Sequence, residues 1–402
     1  MELVQKYKQT EIGLISSDWK IKSLGECLIK NPDYGINAAS VKYNDTLPTY
    51  LRITDISESG KYISQNKVSV NHSLSSLYFL DEGDIVFART GASVGKTYLY
   101  KKSDGKLVFA GFLIRTKVNS KILNYQYLYY LTQTKYYWSW VLTNSMRSGQ
   151  PGINSNEIKL LPIPLPPTLQ EQTLIATALS NTDTWITNLE KLLTKKRQIK
   201  QGALQELLKP KQDWEVKKLE DVGEIITGST PSTGLSEYWN GSIPWITPTD
   251  IKTNKNIFKS EREITESGLN VIRKLPKDTL LVTCIASIGK NTILRKAGAC
   301  NQQINAIVPN SNNNVDFLYY LIENSKNYIL GKAGITATLM ISKKDFSQIL
   351  FSFPNVKEQT RIATILNDMD IEIEQLETKL QKAKKVKQGM MQELLTGKTR
   401  LV

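Results

Sequence analysis

The chain repeats itself. Residues 167–208 align without a gap with residues 354–395, at a constant offset of 187, and 21 of these 42 positions are identical. The clearest stretches are EQTLIATAL (171–179) against EQTRIATIL (358–366), and KQGALQELL (200–208) against KQGMMQELL (387–395). The segments before them also correspond, with small drifts in offset. DWKIKSL (18–24) matches DWEVKKL (213–219), YLRITDI (50–56) faces WITPTDI (245–251), GASVGK (91–96) faces IASIGK (285–290), and YLYYL (127–131) faces FLYYL (317–321). The organisation is therefore A-B-A′-B′: a variable segment and a near-constant one, each present twice.

The constant segments read as helices. Thr168-x-x-Glu171 and Asn355-x-x-Glu358 are capping boxes at matched positions, each just after a proline. Seam positions then alternate by four and three. In the first copy they are Ile175, Leu179, Thr182, Ile186, Leu189, Leu193, Lys196, Lys200, Ala203 and Leu207. In the second they are Ile362, Leu366, Met369, Ile373, Leu376, Leu380, Ala383, Lys387, Met390 and Leu394. This is an a/d heptad pattern. A single helix cannot bury such a stripe alone. The two are expected to pair as antiparallel coiled-coil helices, the alternative being that each packs on its own domain. Pro210 and Gly397 mark their ends. Gly202 and Gly389, at equivalent positions near those ends, suggest a kink, a close partner contact or fraying.

The variable segments mix short β-like runs (TYLRI, GDIVFA, TLLVTC, NAIVP) with turn residues. YQYLYYLTQTKYYWSWVL (125–142) reads as a helix on a core, and PIPLPP (162–167) as a stiff, extended connector. The expected class is α+β: two mixed α/β domains, 1–166 and 211–353, separated by helices at 167–210 and 354–402, with a pseudo-two-fold internal repeat.

Composition narrows the function. Lys plus Arg number 52 against 38 acids, a net charge of +14, which favours an acidic partner such as nucleic acid. The excess is uneven, for residues 212–354 carry 16 basic and 14 acidic side chains. Any DNA surface there must be a local patch. Three scattered cysteines fit a reducing cytoplasm, and one histidine leaves no His-rich metal site. The apolar stretch 160–169 holds four prolines, so no membrane span is expected, and the first residues have no signal-peptide pattern.

Every catalytic near-motif breaks at a needed residue. Gly91-Ala-Ser-Val-Gly95-Lys96-Thr97 has three residues between the glycines where a P-loop has four, and its repeat, Ile285–Asn291, lacks the first glycine and the magnesium-binding hydroxyl. Asn31-Pro-Asp-Tyr34 is one residue from the Asn-Pro-Pro-Tyr box of amino-methyltransferases. Only 30 residues precede it, and Phe109–Leu113 does not supply the glycine-rich cofactor turn. Asp250-Ile-Lys252 and Asp55-Ile-Ser57 resemble half of a metal-dependent nuclease motif without its paired carboxylate. What remains is a set of polar turns whose Arg, Lys, Gln and small hydroxyl side chains suit phosphates and base edges. The candidate DNA-binding residues are Tyr34, Arg89, Ser93, Lys96, Arg147 and Gln150 in the first half. In the second they are Ser229, Thr230, Ser232, Thr247, Ser287, Lys290, Thr336 and Thr338. Taken singly, each of these turns reads more readily as a solvated loop than as a base reader.

Over essentially its whole length the chain resembles the specificity subunit of type I restriction-modification enzymes. The likeness rests on Glu11–Trp19 (EIGLISSDW), Tyr50–Ile56 (YLRITDI), Ile226–Ser232 (ITGSTPS), the Glu-Gln-x-x-Ile-Ala and Gln-Glu-Leu-Leu ends of both helices, and Gly389–Arg400 (GMMQELLTGKTR). The resemblance implies a non-catalytic chain that binds no cofactor of its own. It implies two target-recognition domains, each reading half of a split double-stranded DNA target. Two modification subunits would dock at the helices with S-adenosylmethionine, and motor-nuclease subunits using ATP and Mg could join. Two rival classes are a methyltransferase carrying its own recognition domains and a coiled-coil scaffold without a DNA role.

Overall fold

The computed structural model describes residues 6–252, 254–333 and 339–401. The chain forms two compact units: Met1–Glu190 together with Lys379–Val402, and Lys191–Thr378. Both are mixed α and β, and both use one strand plan.

In the first unit, strands Asp33–Tyr34, Leu113–Thr116, Ile85–Ala88 and Thr97–Leu99 lie side by side in that order, all neighbours antiparallel. A second sheet contains the parallel pair Leu107–Phe109 and Thr49–Leu51. In the second unit, Gly223–Thr227, Ile304–Pro309, Thr279–Thr283 and Asn291–Leu294 repeat the antiparallel order, with Asn256–Ile257 added at the edge. Trp239–Ile246 and Ala299–Cys300 repeat the parallel pair. The central strands Ile85–Ala88, Leu113–Thr116 and Thr279–Thr283 are buried throughout. That is why Ile85–Ala88 and Leu280–Val282 read as continuous apolar runs without the alternation of a half-exposed strand, whereas Leu113–Thr116 buries Arg115, which pairs with Asp33.

Two expectations change. Pro162–Leu165 is a strand, antiparallel to Lys20–Ser23, and Leu350–Phe353 pairs in the same way with Glu215–Lys218. Leu24 N donates to Leu161 O, so hydrogen-bonded pairs fall at 161 and 163. Pro162 and Pro164 occupy the alternate positions, where a missing N–H costs the ladder nothing. The aromatic stretch 125–142 breaks into two helices, Tyr125–Leu131 and Lys135–Ser145. Thr134 causes the break, because its side chain caps the second helix by accepting from Tyr137 N.

The constant segments form helices Leu169–Leu207 and Val356–Leu394, 39 residues each, roughly 58 Å at ~1.5 Å per residue. They run antiparallel in each unit. In the first, Lys387 pairs with Asp183 (2.6 Å) and Lys384 with Glu190 (2.8 Å). In the second, Lys196 pairs with Glu372 (2.6 Å), Lys200 with Asp370, and Arg197 with Glu377 (2.5 Å). Ile175, Leu179, Ile186, Leu189, Leu193, Ile362, Leu366, Leu380 and Leu394 are buried, whereas Met369, Ile373 and Leu376 are half-buried. The buried stripe leaves the heptad register only in the last turns of the first helix. Leu204 and Leu208 are buried while Leu207 is half-buried. These leucines join a domain core containing Trp214, Leu219 and Phe317, and that core, shared with the helix end, sets their register.

Both packing alternatives therefore occur together. The first unit's core holds the start of one long helix (Ile175, Ala176, Leu179) and the end of the other (Leu394, Leu395). The second unit's core holds the complementary start (Ile362, Ala363, Leu366) and end (Leu204, Leu208). Aromatic pairs repeat beside them: Trp19 meets Tyr127 edge-on at 6.5 Å, and Trp214 meets Phe317 edge-on at 6.2 Å. The capping boxes form only in part. Thr168 Oγ1 accepts from Glu171 N and Asn355 Oδ1 from Glu358 N. The glutamates turn instead to cations, Glu171 to Arg400 and Glu358 to Arg361.

The second long helix closes with a Schellman motif. Gly397 has φ +69°, its N–H donates to Leu394 O, and Lys398 N donates to Glu393 O. Beyond it, Thr396 O accepts from Ser16 N, and Arg400 bridges Asp18 and Glu171, whose side chain is only 2% exposed. A Cβ on Gly397 would lie 2.7 Å from the Trp19 indole. Gly202 and Gly389, by contrast, have nothing within 4 Å of an added Cβ. Gly397→Ala is therefore expected to destabilise the protein by at least about 1–2 kcal/mol through left-handed strain alone. Gly202→Ala and Gly389→Ala should each stabilise it by up to about 1 kcal/mol. Chemical denaturation of the three variants tests this, and destabilisation by the latter two would mean those glycines are needed for something other than packing.

Candidate nucleic-acid interface

In each unit the polar turns gather at one edge of the central sheet, because adjacent antiparallel strands deliver their loops to the same end. In the first unit Ala88 pairs with Leu113, so the turn after Ala88 and the turn before Leu113 are neighbours. Tyr34 ends the strand beside them. The Arg89 guanidinium lies 4.9 Å from the Tyr34 ring centroid and 6.0 Å from that of Phe112. Phe112 is 55% exposed. Tyr34 Oη accepts from Ser155 N at 3.0 Å. Burial pushes the Tyr34 phenol up, but this hydrogen bond and the Arg89 cation hold it below its ordinary value. Thr90 bridges to Gly152, and a Cβ on Gly91 would lie 2.9 Å from Gln150 Nε2. Tyr34, Arg89 and Gln150 are thus brought to one place, with Ser93 half-buried in the short turn Gly91–Ser93.

Two expected cations are already engaged. Lys96 pairs with Glu58 and its side chain is only 15% exposed. Arg147 pairs with Glu157 and donates to the carbonyls of Asn144 and Met146.

In the second unit Thr283 pairs with Ile304 and Thr227 with Asn305, which delivers the corresponding turns to one edge. A cleft of about 460 Å3 is lined there by Trp245, Thr247, Asp250, Ser287, Asn301 and Gln303, among others. The polar turn after Thr227 flanks it. Ser229 O accepts from Trp245 Nε1 (2.9 Å), Thr230 donates to Gln302 Oε1 (2.6 Å), and Ser232 O accepts from Trp239 Nε1 (3.0 Å). Thr247 Oγ1 donates to Asp250 Oδ2 (2.7 Å), so that aspartate caps a turn. Lys290 is exposed. Thr336 and Thr338 lie outside the described residues.

Sequence reasoning did not single out several polar side chains at this edge. Arg262 stacks 3.8 Å from the Trp239 ring centroid and 5.3 Å from that of Trp245. Asn301, Gln302 and Gln303 occupy the turn equivalent to Ala110–Phe112, each following the strand of a parallel pair. Strand order reveals this equivalence, which residue identity does not. The preceding turn is one residue shorter in the second unit. Ala286 (φ +61°) takes the left-handed position that Gly91 (φ +68°) fills in the first, a strained backbone at the rim of the cleft.

Among the described residues no group of three or more His, Cys, Asp or Glu side chains could hold a metal, and no helix is long and apolar enough to cross a membrane. Burial pushes the Cys27 thiol up to about 11 and those of Cys284 and Cys300 up to about 12, so none is poised as a nucleophile.

The family model for the type I restriction modification DNA specificity domain matches residues 1–201 and again 211–385. The chain belongs to this family. A Methanocaldococcus jannaschii protein described as a type I restriction enzyme MjaX specificity subunit is 27% identical over 426 residues, covering 99% of this chain and 97% of that one. The MjaIX specificity subunit of the same organism is 36% identical over 168 residues, but this match spans only 40% of this chain and 39% of the relative. The EcoR124I/EcoR124II specificity subunit of Escherichia coli is 29% identical over 253 residues, 58% of this chain and 62% of that subunit. The HsdS subunit from Thermoanaerobacter tengcongensis shares the fold, with a TM-score of 0.53 at 18% identity over 96% of this chain and 98% of that one. So does the S subunit from M. genitalium, with a TM-score of 0.60 at 15% identity over 94% and 96%. As a type I specificity subunit, the chain is the non-catalytic member of its system.

The two sheet edges give an expectation for salt-dependent binding. Arg89→Ala and Lys290→Ala should each weaken DNA binding and reduce the magnitude of the log K against log salt slope by about 0.9. Lys96→Met should leave the slope nearly unchanged, since Glu58 already neutralises that cation. Titrations of the reconstituted complex at several salt concentrations check this. Unchanged slopes for both Arg89→Ala and Lys290→Ala would place the DNA surface elsewhere.

Proposed function

We propose that the chain is the DNA-reading subunit of a type I restriction-modification complex, with each sheet edge contacting one half of a bipartite, asymmetric double-stranded target. The observation that carries this reading is the pair of topologically equivalent edges bearing different side chains: Tyr34, Arg89, Phe112 and Gln150 in one, Arg262, Asn301 and Gln303 in the other. Equivalent position with unlike chemistry suits two half-sites of unlike sequence. Arginine suits guanine, asparagine and glutamine suit adenine, and exposed aromatics suit thymine methyls or sugar faces. The long helices serve as the spacer between half-sites and as the dock for two modification subunits. Those subunits carry S-adenosylmethionine and the methyl-transfer chemistry, and motor-nuclease subunits using ATP and Mg join them. The assembly works in the cytoplasm.

Exchanging residues 1–164 for the equivalent segment of a relative should change one half-site and leave the other intact. Sequencing DNA methylated by the reconstituted complex reads the outcome, and a simultaneous change in both half-sites would contradict the modular reading.

The spacer role has its own test. Seven residues inserted in each long helix, near Leu189 and Leu376, preserve the a/d register and lengthen both partners equally. Each helix grows by ~10.5 Å, equivalent to ~3 base pairs at ~3.4 Å per pair. The half-sequences should stay the same while the gap between them widens by about that number. A folded, active variant with the original gap would show that the helices do not set it.

A further inference from the structure

Away from the sheet edges, one cluster of charged and polar side chains occurs twice. In the first unit Tyr130 Oη donates to Asp183 Oδ2 (2.9 Å), Lys387 Nζ pairs with Asp183 Oδ1 (2.6 Å), and the ammonium lies 5.5 Å from the Tyr130 ring centroid. In the second, Tyr320 Oη donates to Asp370 Oδ2 (2.6 Å), Lys200 pairs with Asp370, and its ammonium lies 5.6 Å from the Tyr320 ring centroid. Each cluster joins three elements. The tyrosine comes from the domain, on helix Tyr125–Leu131 or Val315–Asn324, the aspartate from one long helix, and the lysine from the other. Burial, and then the adjoining aspartate, push both phenols above their ordinary range, so each stays protonated and able to donate.

A second duplicated contact lies eleven residues earlier on the aspartate's helix, about 16 Å away. Gln172 and Gln359 are 2% and 1% exposed. Gln172 Oε1 accepts from Asn124 N, and Gln359 Oε1 accepts from Asn314 N, both at 2.9 Å. Asn124 and Asn314 are the N-caps of the same two domain helices. Between glutamine and aspartate lie the apolar contacts, Ile175, Ala176 and Leu179 in one unit and Ile362, Ala363 and Leu366 in the other. An apolar contact is non-directional and permits sliding and rolling. Directional hydrogen bonds at its two ends permit neither.

We propose that Tyr130–Asp183–Lys387 and Tyr320–Asp370–Lys200 are positioning latches. They fix the angle of each recognition domain on the helix pair and thereby determine how strictly the complex measures the gap between half-sites. This rests on the reading that the helices set the gap. The latches touch no base and leave half-site sequence preference to the sheet edges.

The experiment uses the reconstituted methyltransferase complex and a DNA library with fixed half-sites and gaps varied by up to three base pairs either way. With Asp183→Asn and Asp370→Asn combined, the ratio of methylation at the native gap to that at gaps one base pair off should fall about tenfold, with unchanged half-site sequences. Tyr130→Phe with Tyr320→Phe should act in the same direction. Lys387→Arg with Lys200→Arg preserves the charge and should retain the native ratio. Because the readout is a ratio within one preparation, general loss of stability does not move it. Spin labels at positions 121 and 382, both within the first unit, report the latch directly. Asp183→Asn should broaden their distance distribution in the complex. A distribution that stays sharp would overturn the latch itself. A broadened distribution with an undiminished gap ratio would overturn its link to spacing, leaving the helix-insertion result to judge the spacer reading separately.

Discussion

The burial of the long-helix ends in the domain cores is the contact on which the rest of the fold depends. Neither variable segment completes its core alone. Ile175 and Leu179 enter the first core from one helix, Leu394 and Leu395 from the other, and the second core repeats this with Ile362, Leu366, Leu204 and Leu208. A leucine or isoleucine fully buried in such a place contributes on the order of 1.5–3 kcal/mol. The likeness of the two constant segments has a mechanical reason in this. Each must serve one core with its start and the other with its end, while the sheet edges are free to differ.

The pairing of the helices is more polar than their apolar seam suggests. Lys196, Lys200 and Lys387 occupy seam positions and reach across to Glu372, Asp370 and Asp183. Ion pairs of this exposure contribute little stability, typically below about 1 kcal/mol each. Their value lies in orientation, since a parallel or shifted pairing would set like charges against each other. These lysines are thus used in joining the helices, and because each is matched by an acid the net charge of +14 is carried by other side chains.

The duplicated architecture, the two long helices and the mixed domains were legible in the sequence because apolar periodicity and internal repetition survive without tertiary context. Features fixed by that context were not. The seam shift at Leu204 and Leu208 follows from a core built around Trp214, and the pairing of Pro162–Leu165 follows from a partner strand about 140 residues away. For the candidate site, the structure brings together some of the side chains singled out in the sequence and not others. Tyr34, Arg89 and Gln150 converge, whereas Lys96 and Arg147 are committed to Glu58 and Glu157. Phe112, Arg262 and Asn301–Gln303 carry no motif. Only strand order shows that Ala110–Phe112 and Asn301–Gln303 are the same turn.

The clasp at the C-terminal end also has a consequence in time. The second unit is a single stretch of chain, residues 191–378, and every contribution to its core has been synthesised once that stretch leaves the ribosome. The first unit holds the earlier stretch, yet its core lacks Leu394 and Leu395, and Glu171 lacks Arg400, until the segment after the second unit has been made. Domains of most proteins complete themselves in the order of their synthesis. In this chain the half made first is the half finished last, and Ile175 and Leu179 wait in the nascent chain for a partner segment that is still some two hundred codons away.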